Sequence, residues 1–149
     1  MSVLRTDSKN PDFIKLVKKL DTELAERDGE DHAFYDQFNK ISKLKHVIVL
    51  YLDHKPVSCG AIKGFDSSSV EVKRMFTVPG YRRQGMARKV LAELEKWASE
   101  LSYEKCVLET GRRQPEAIAL YKKNGYQKIP NYGQYKGIEN SLCFEKQLN

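Results

Sequence analysis

No stretch of this 149-residue chain is apolar for long enough to span a bilayer. The N-terminal residues MSVLRTDSKNPDF also lack the apolar core of a secretion signal. Both absences predict a cytoplasmic protein with no membrane partner. Cysteine is scarce. Cys59, Cys106 and Cys143 are odd in number and far apart among strand-like residues. That spacing argues against a disulfide framework or a metal site and for buried reduced thiols. There is no internal repeat, low-complexity tract or evident linker, so residues 1–149 are read as one domain. The two best-known phosphate-binding glycine loops, G-x-x-x-x-G-K-S/T and G-x-G-x-x-G, are missing. So is any run of basic residues with interleaved aromatics of the kind that tracks a nucleic-acid backbone. The net charge of +6 therefore does not predict a nucleic-acid partner.

What is present is an ordinary globular composition, 40% hydrophobic and 31% charged, with an uneven charge distribution. Residues 21–36, DTELAERDGEDHAFYD, hold seven acids and one arginine. SVLRT reads as a short strand. NPDFIKLVKKLDTELAERDG reads as a helix with Asn10 as cap, Pro11 in the first turn and Gly29 as stop. Phe13, Leu16, Val17, Leu20 and Leu24 form its apolar stripe. HAFYDQFNKI predicts a shorter helix. HVIVLYL and PVSCGAIKGF predict strands joined by DHK, and SSVEVKRMFTV predicts a third, longer strand. A helix follows over residues 84–101, with Met86, Ala87, Val90, Leu91, Leu94, Trp97, Ala98 and Leu101 on its core face. YEKCVLET is a strand, QPEAIALYKKNG a helix stopped by Gly125, and YQKI and NSLCFEKQL are the last strands. This order predicts a mixed α/β domain around one sheet.

Between strand and helix lies RRQGMA, residues 82–87. A helix start offers unpaired N–H groups and the positive end of the helix dipole, a natural site for an anion. Gly85 lets a ligand approach the backbone, Ala87 keeps the first turn thin, and Arg82, Arg83 and Arg88 add positive charge. A pyrophosphate would suit this arrangement. The competing role is an exposed basic helix start with an incidental glycine.

RRQGMA resembles the acetyl-CoA-binding motif of the GNAT superfamily of N-acetyltransferases. That motif is Gln or Arg, two free positions, Gly, one free position, then Gly or Ala. Arg82, Gly85 and Ala87 fill it. EAIALYKKNGY is similar to the family's second motif, A-x-x-x-Y-x-x-x-G-F/Y, through Ala117, Tyr121, Gly125 and Tyr126. The resemblance spans residues 70–126. It implies a GNAT-like fold: a central mixed, mostly antiparallel sheet of six to seven strands, helices on both faces, and a V-shaped split between the two central strands. It also implies a bulged strand at Met75, Phe76, Thr77 and Val78 that pairs with the pantetheine arm of acetyl-CoA as an extra strand would. The backbone of Arg83, Gln84, Gly85, Met86, Ala87 and Arg88 would hold the pyrophosphate. An N–H near Met75 would polarise the thioester carbonyl. Gln114 stands where many members carry a pantetheine-contacting asparagine.

The implied reaction is direct attack of a primary amine on acetyl-CoA, with no metal and no nucleophilic side chain. Tyr121 matches the family's leaving-group acid. Glu71 lies where some members place a catalytic glutamate and is the first candidate base. Alternation puts Glu71 and Lys73 on one side of their strand and Val70 and Val72 on the other, and an ion pair with Lys73 or Arg74 is the competing role. Glu109, at the end of CVLET, is the second candidate. His32, His46 and His54 are expected at the surface. The acceptor site would be framed by DGEDHAFYDQF and IPNYGQYKGIENS, with Phe34, Tyr35, Phe38, Tyr132 and Tyr135 as aromatic walls. The acids Asp28, Glu30, Asp31 and Asp36 would attract a cationic amine, which suggests a small amine, a polyamine or a basic amino compound. Arg112 and Arg113 could clamp a carboxylate. The family's habits imply a homodimer. Alternatives are a protein or peptide N-acetyltransferase and a non-catalytic acyl-CoA-binding module.

Overall fold

The computed structural model describes residues 1–36 and 43–148. Strand β1 (Ser2–Thr6) leads to helix α1 (Pro11–Asp28). Asn10 caps that helix. Its side-chain oxygen accepts from the N–H groups of Asp12 at 2.9 Å and Phe13 at 3.1 Å. Gly29, at φ +53°, closes the other end and donates its N–H to the Ala25 carbonyl. One turn of 3-10 helix then leads into α2 (His32–Asp36). The rest of the predicted second helix, with Phe38, lies outside the described residues. Strands β2 (His46–Leu52) and β3 (Lys55–Gly64) form a hairpin. Its loop is shorter than expected. Only Asp53 and His54 turn, both at positive φ, and Lys55 already belongs to β3.

Strand β4 (Ser69–Thr77) precedes α3 (Met86–Glu100). Then come β5 (Lys105–Gly111), α4 (Pro115–Lys123), β6 (Gln127–Ile129) and β7 (Ser141–Gln147). The seven strands form one sheet in the order β1-β2-β3-β4-β5-β7-β6. Every neighbouring pair is antiparallel except β4 and β5. The expected sheet, with helices on both faces, is the one observed. Phe13, Leu16, Val17 and Leu20 of α1 pack on Val47, Val49, Cys59, Ala61 and Phe76 on one face. Each such side chain contributes about 1.5–3 kcal/mol by leaving water. Val90, Leu91, Leu94 and Ala98 of α3 pack on Ile48, Ile62, Val72, Leu108 and Phe144 on the other.

Two departures from regular pairing shape the centre of the sheet. Cys59 faces Phe76 while Ala61 faces Lys73, so Gly60 opposes both Arg74 and Met75. This is a bulge, and Arg74 takes it up at φ +59°. A Cβ on Gly60 would overlap Met75 Sδ and lie 3.0 Å from the methyls of Leu94 and Val90. Glycine therefore makes the room that Met75 fills. The second departure is a split. Strands β4 and β5 pair only over Ser69–Lys105, Val70–Cys106 and Glu71–Val107. Beyond Glu71, β4 stays with β3 and β5 stays with β7.

All three cysteines are free and buried. The histidines are less uniform than expected. His54 is exposed and His32 half-buried. His46 also departs from its predicted surface role. It is half-buried, edge-on to Trp97 at 4.8 Å, and burial lowers its pKa.

Candidate active site

The split opens a cleft of about 970 Å³. Its walls come from the free ends of β4 and β5, the starts of α3 and α4, and the end of α1. Of the sequence-predicted residues, Glu71, Met75, Phe76, Thr77, Arg83, Gly85, Met86, Ala87, Arg88, Glu109, Gln114, Tyr121, Tyr35 and Tyr135 line it. Val78, Gln84, Phe34 and Tyr132 do not appear on its walls.

At one end lies the start of α3. Gly85 precedes the helix at φ +81° and has no side-chain cap. The first intrahelical bond there runs from the Lys89 N–H to the Gly85 carbonyl, at 3.1 Å. The N–H groups of Met86, Ala87 and Arg88 thus fall in the unpaired first turn. Open space lies where a Gly85 side chain would begin, so a larger residue would fill the cradle as well as strain the turn. Arg83 and Arg88 are exposed at the rim. Arg82, read from the sequence as adding positive charge, is engaged by the protein itself. Its Nε donates to the Thr77 carbonyl at 2.8 Å and its Nη2 pairs with Glu23 of α1, also at 2.8 Å. The Gln84 side chain donates to the Gly80 carbonyl at 3.1 Å, so only its backbone is available to a ligand. Val78 gives its N–H to the Val57 carbonyl of β3 at 2.9 Å.

The middle of the cleft holds the ionisable groups. Lys73 pairs across the ladder with Ala61, whose side chain faces α1, and Glu71 lies on the same side. The alternation expected for this strand is therefore observed. Glu71 is buried and committed. One oxygen accepts from the Tyr132 hydroxyl at 2.6 Å, and the other lies 3.7 Å from Lys73 Nζ. Glu109 differs. Its buried Oε2 has no hydrogen-bond partner, and the neighbouring Ser141 hydroxyl favours its ionised form. Desolvation pushes its pKa up to about 7, with the charges of Asp28 and Glu71 adding to the effect and Lys73 opposing it. Tyr121 enters from α4 on the opposite side of the sheet. It is buried, edge-on to Tyr126 at 5.6 Å, and burial holds its hydroxyl above the ordinary tyrosine pKa. The split lets groups from the two faces share one cavity. Gln114 sits at the α4 start with no capping bond from its side chain.

The third part is aromatic and acidic. The Tyr35 hydroxyl bonds Ser141 Oγ at 2.8 Å and accepts from Asn140 Nδ2 at 3.3 Å. Tyr35 stacks on Tyr135, and Phe34 meets it edge-on. Phe34 and Tyr132 therefore support the wall from behind. Ser141, Asn140 and Gly60 carry no local sequence signal and escaped the sequence reading. Arg113 is used structurally, donating to the Asp28 carbonyl at 2.6 Å and lying 3.2 Å from Asp31. The Arg112 Nε donates to the Glu139 carbonyl at 2.6 Å. Neither fits the carboxylate clamp considered for them. Among the described residues, no group of three or more His, Cys, Asp or Glu is arranged to hold a metal ion, and no helix is long and apolar enough to cross a membrane.

The profile of the acetyltransferase (GNAT) domain family matches residues 43–128. The chain belongs to the GNAT family. An IAA acetyltransferase of Azospirillum brasilense is 38% identical over 93 residues, covering 62% of this chain and 61% of that protein. The chain spans about three-fifths of the length of two curated relatives it matches and 41% of a third. A crystal structure assigned as an acyl-CoA N-acyltransferase of Klebsiella pneumoniae is 28% identical. It superposes with a TM-score of 0.83, covering 99% of this chain and 97% of its own. A GNAT acetyltransferase of Elizabethkingia anophelis with acetyl-CoA bound shares the fold, with a TM-score of 0.72 at 17% identity and coverage of 99% and 97%. Met75 of the bulged strand, the split and the helix start at Gly85 all border one cleft.

Proposed function

We propose that the protein transfers an acetyl group from acetyl-CoA to the primary amine of a small-molecule acceptor. The observation that carries this reading is the split beyond Glu71–Val107. It joins the unpaired helix start at Gly85 to Glu109 and Tyr121 in one cleft. The N–H groups of Gly85, Met86, Ala87 and Arg88 suit a pyrophosphate, with Arg83 and Arg88 beside them. The bulged edge from Met75 to Thr77 suits an extended pantetheine arm, with Gln114 on the facing wall. Acetyl-CoA supplies the activated thioester.

Glu109 is the better of the two candidate bases. Glu71 is held by Tyr132 and Lys73, whereas Glu109 keeps one oxygen unpartnered and a pKa of about 7. At neutral pH it is about half ionised and can take a proton from an ammonium. A backbone N–H near Met75 stabilises the developing oxyanion. Tyr121 stays protonated and gives its proton to the departing sulfur. Tyr35 and Tyr135 wall the acceptor side.

Thiol release from acetyl-CoA across monoamines, polyamines, amino acids, amino sugars and short peptides tests this reading. The buried cysteines keep the protein's own thiol signal low. Amine-dependent release is expected, and Tyr121→Phe should lower kcat by about 10²-fold with little change in the KM for acetyl-CoA. Binding of acetyl-CoA without release to any amine would favour the non-catalytic module. Release to peptides alone would favour a protein acceptor.

A further inference from the structure

One carboxylate of the cleft has no part in the transfer just described. Asp28 ends α1, is 4% exposed and lines the cleft. No hydrogen bond or ion pair among the described residues engages its side chain. Arg113 reaches past it to the Asp28 backbone carbonyl and to Asp31. The other cations nearby are also committed. Lys73 lies against Glu71, and Arg74 pairs with Asp21. His32 and Arg113 only partly offset the burial that raises the Asp28 pKa. Asp28 also sits at the negative end of the α1 dipole, which favours a cation there.

A buried carboxylate without a partner is costly, and a cation in the cleft would relieve it. The reacting nitrogen cannot serve, because it must present itself to Glu109 and leave as a neutral amide. Asp28, Tyr35 and Glu109 line the same cleft, and the charge of Asp28 raises the pKa of the other two. Asp28 therefore borders the space in which the acceptor would lie. We propose that Asp28 docks a second, non-reacting ammonium, and that the acceptor is a diamine or polyamine rather than a monoamine. This rests on the acetyl-transfer reading of the cleft. In the step itself the thioester C–S bond breaks and the C–N bond forms. Glu109 takes one proton from the ammonium before attack and passes it to water; Tyr121 gives its proton to sulfur and is restored by the second proton, which nitrogen loses as the amide forms. The distal ammonium keeps its protons throughout.

The test compares kcat/KM for n-alkylamines with that for α,ω-diamines of the same chain length, in wild type, Asp28→Asn and Asp28→Glu. Wild type should prefer the diamine by about tenfold or more, mainly through KM. Asp28→Asn should bring the ratio towards one, and Asp28→Glu should retain a preference. The ratio is insensitive to how much enzyme is active, so a poorly folding variant does not blur it. No preference in wild type would overturn the proposal without any variant, as would a ratio unchanged in Asp28→Asn. Acetyl-CoA binding without release to any amine would overturn the transfer reading and this proposal together. Release to monoamines and diamines alike would overturn this proposal alone.

Discussion

At the residue scale, the site turns on two carboxylates with different surroundings. Glu71 has both oxygens engaged, whereas Glu109 has one buried and unpartnered. The difference has consequences for rate and for stability. The kcat/KM of wild type should rise with pH through about 7 as Glu109 ionises. Glu109→Gln should lower the plateau by 10²–10⁴-fold and remove that limb. Its effect on stability has the opposite sense. Below the ordinary value of 4.5 the carboxyl is protonated in folded and unfolded chains alike and costs nothing. Above 7 it is ionised in both, and only the folded chain bears the desolvation. Stability from this group is therefore lost as pH rises from 4.5 to 7. Glu109→Gln should recover roughly 3 kcal/mol or less at pH 8 and nothing at pH 4. Urea unfolding at the two pH values measures this. Equal stability of the two proteins at pH 8 would remove the desolvation argument. The sequence offered both glutamates as bases. It put Glu71 first, because Tyr132, which holds Glu71, comes from a distant segment.

At the element scale, the bulge in β4 depends on a missing side chain in β3. Gly60→Ala should push Met75 off its seat against Val90 and Leu94, costing about 1–3 kcal/mol. The same change should raise the KM for acetyl-CoA, because Met75 lies on the free edge of the cleft. Gly60→Ala with Met75→Ala should recover much of the KM, since the overlap is removed at its source. A Gly60→Ala protein with unaltered KM would show that the bulge does not depend on this seat. The origin of each element explains what could be read beforehand. Helix α1 was legible to its ends because Asn10, Pro11, Gly29 and the apolar stripe act locally. The bulge was not legible from its own residues. Arg74 is an ordinary residue at positive φ, stabilised by Gly60 opposite and by Asp21 on α1. Only the resemblance to the GNAT motifs pointed to it. The pairing of Arg82 with Glu23 was not legible for the same reason, because Glu23 lies 59 positions away in the chain.

At the scale of the whole molecule, the split sheet divides labour between two ends of one cleft. In the proposed reaction the basic helix start at Gly85 would face acetyl-CoA, and the acidic end around Asp28 and Glu109 would face the amine. The net charge of +6 hides this polarity. The order of elements was readable in full for the described residues, because strands and helices alternate with clear stops. The cavity was not, because it exists only where β4 and β5 fail to pair. The direct test is a titration of isotope-labelled protein with acetyl-CoA, followed through the backbone amide resonances. The largest shifts should fall at Gly85, Met86, Ala87 and Arg88 and along Met75, Phe76 and Thr77, with Asp28 and Tyr35 little affected. Shifts centred away from the split, or none at millimolar ligand, would contradict the assignment of this cleft to acetyl-CoA.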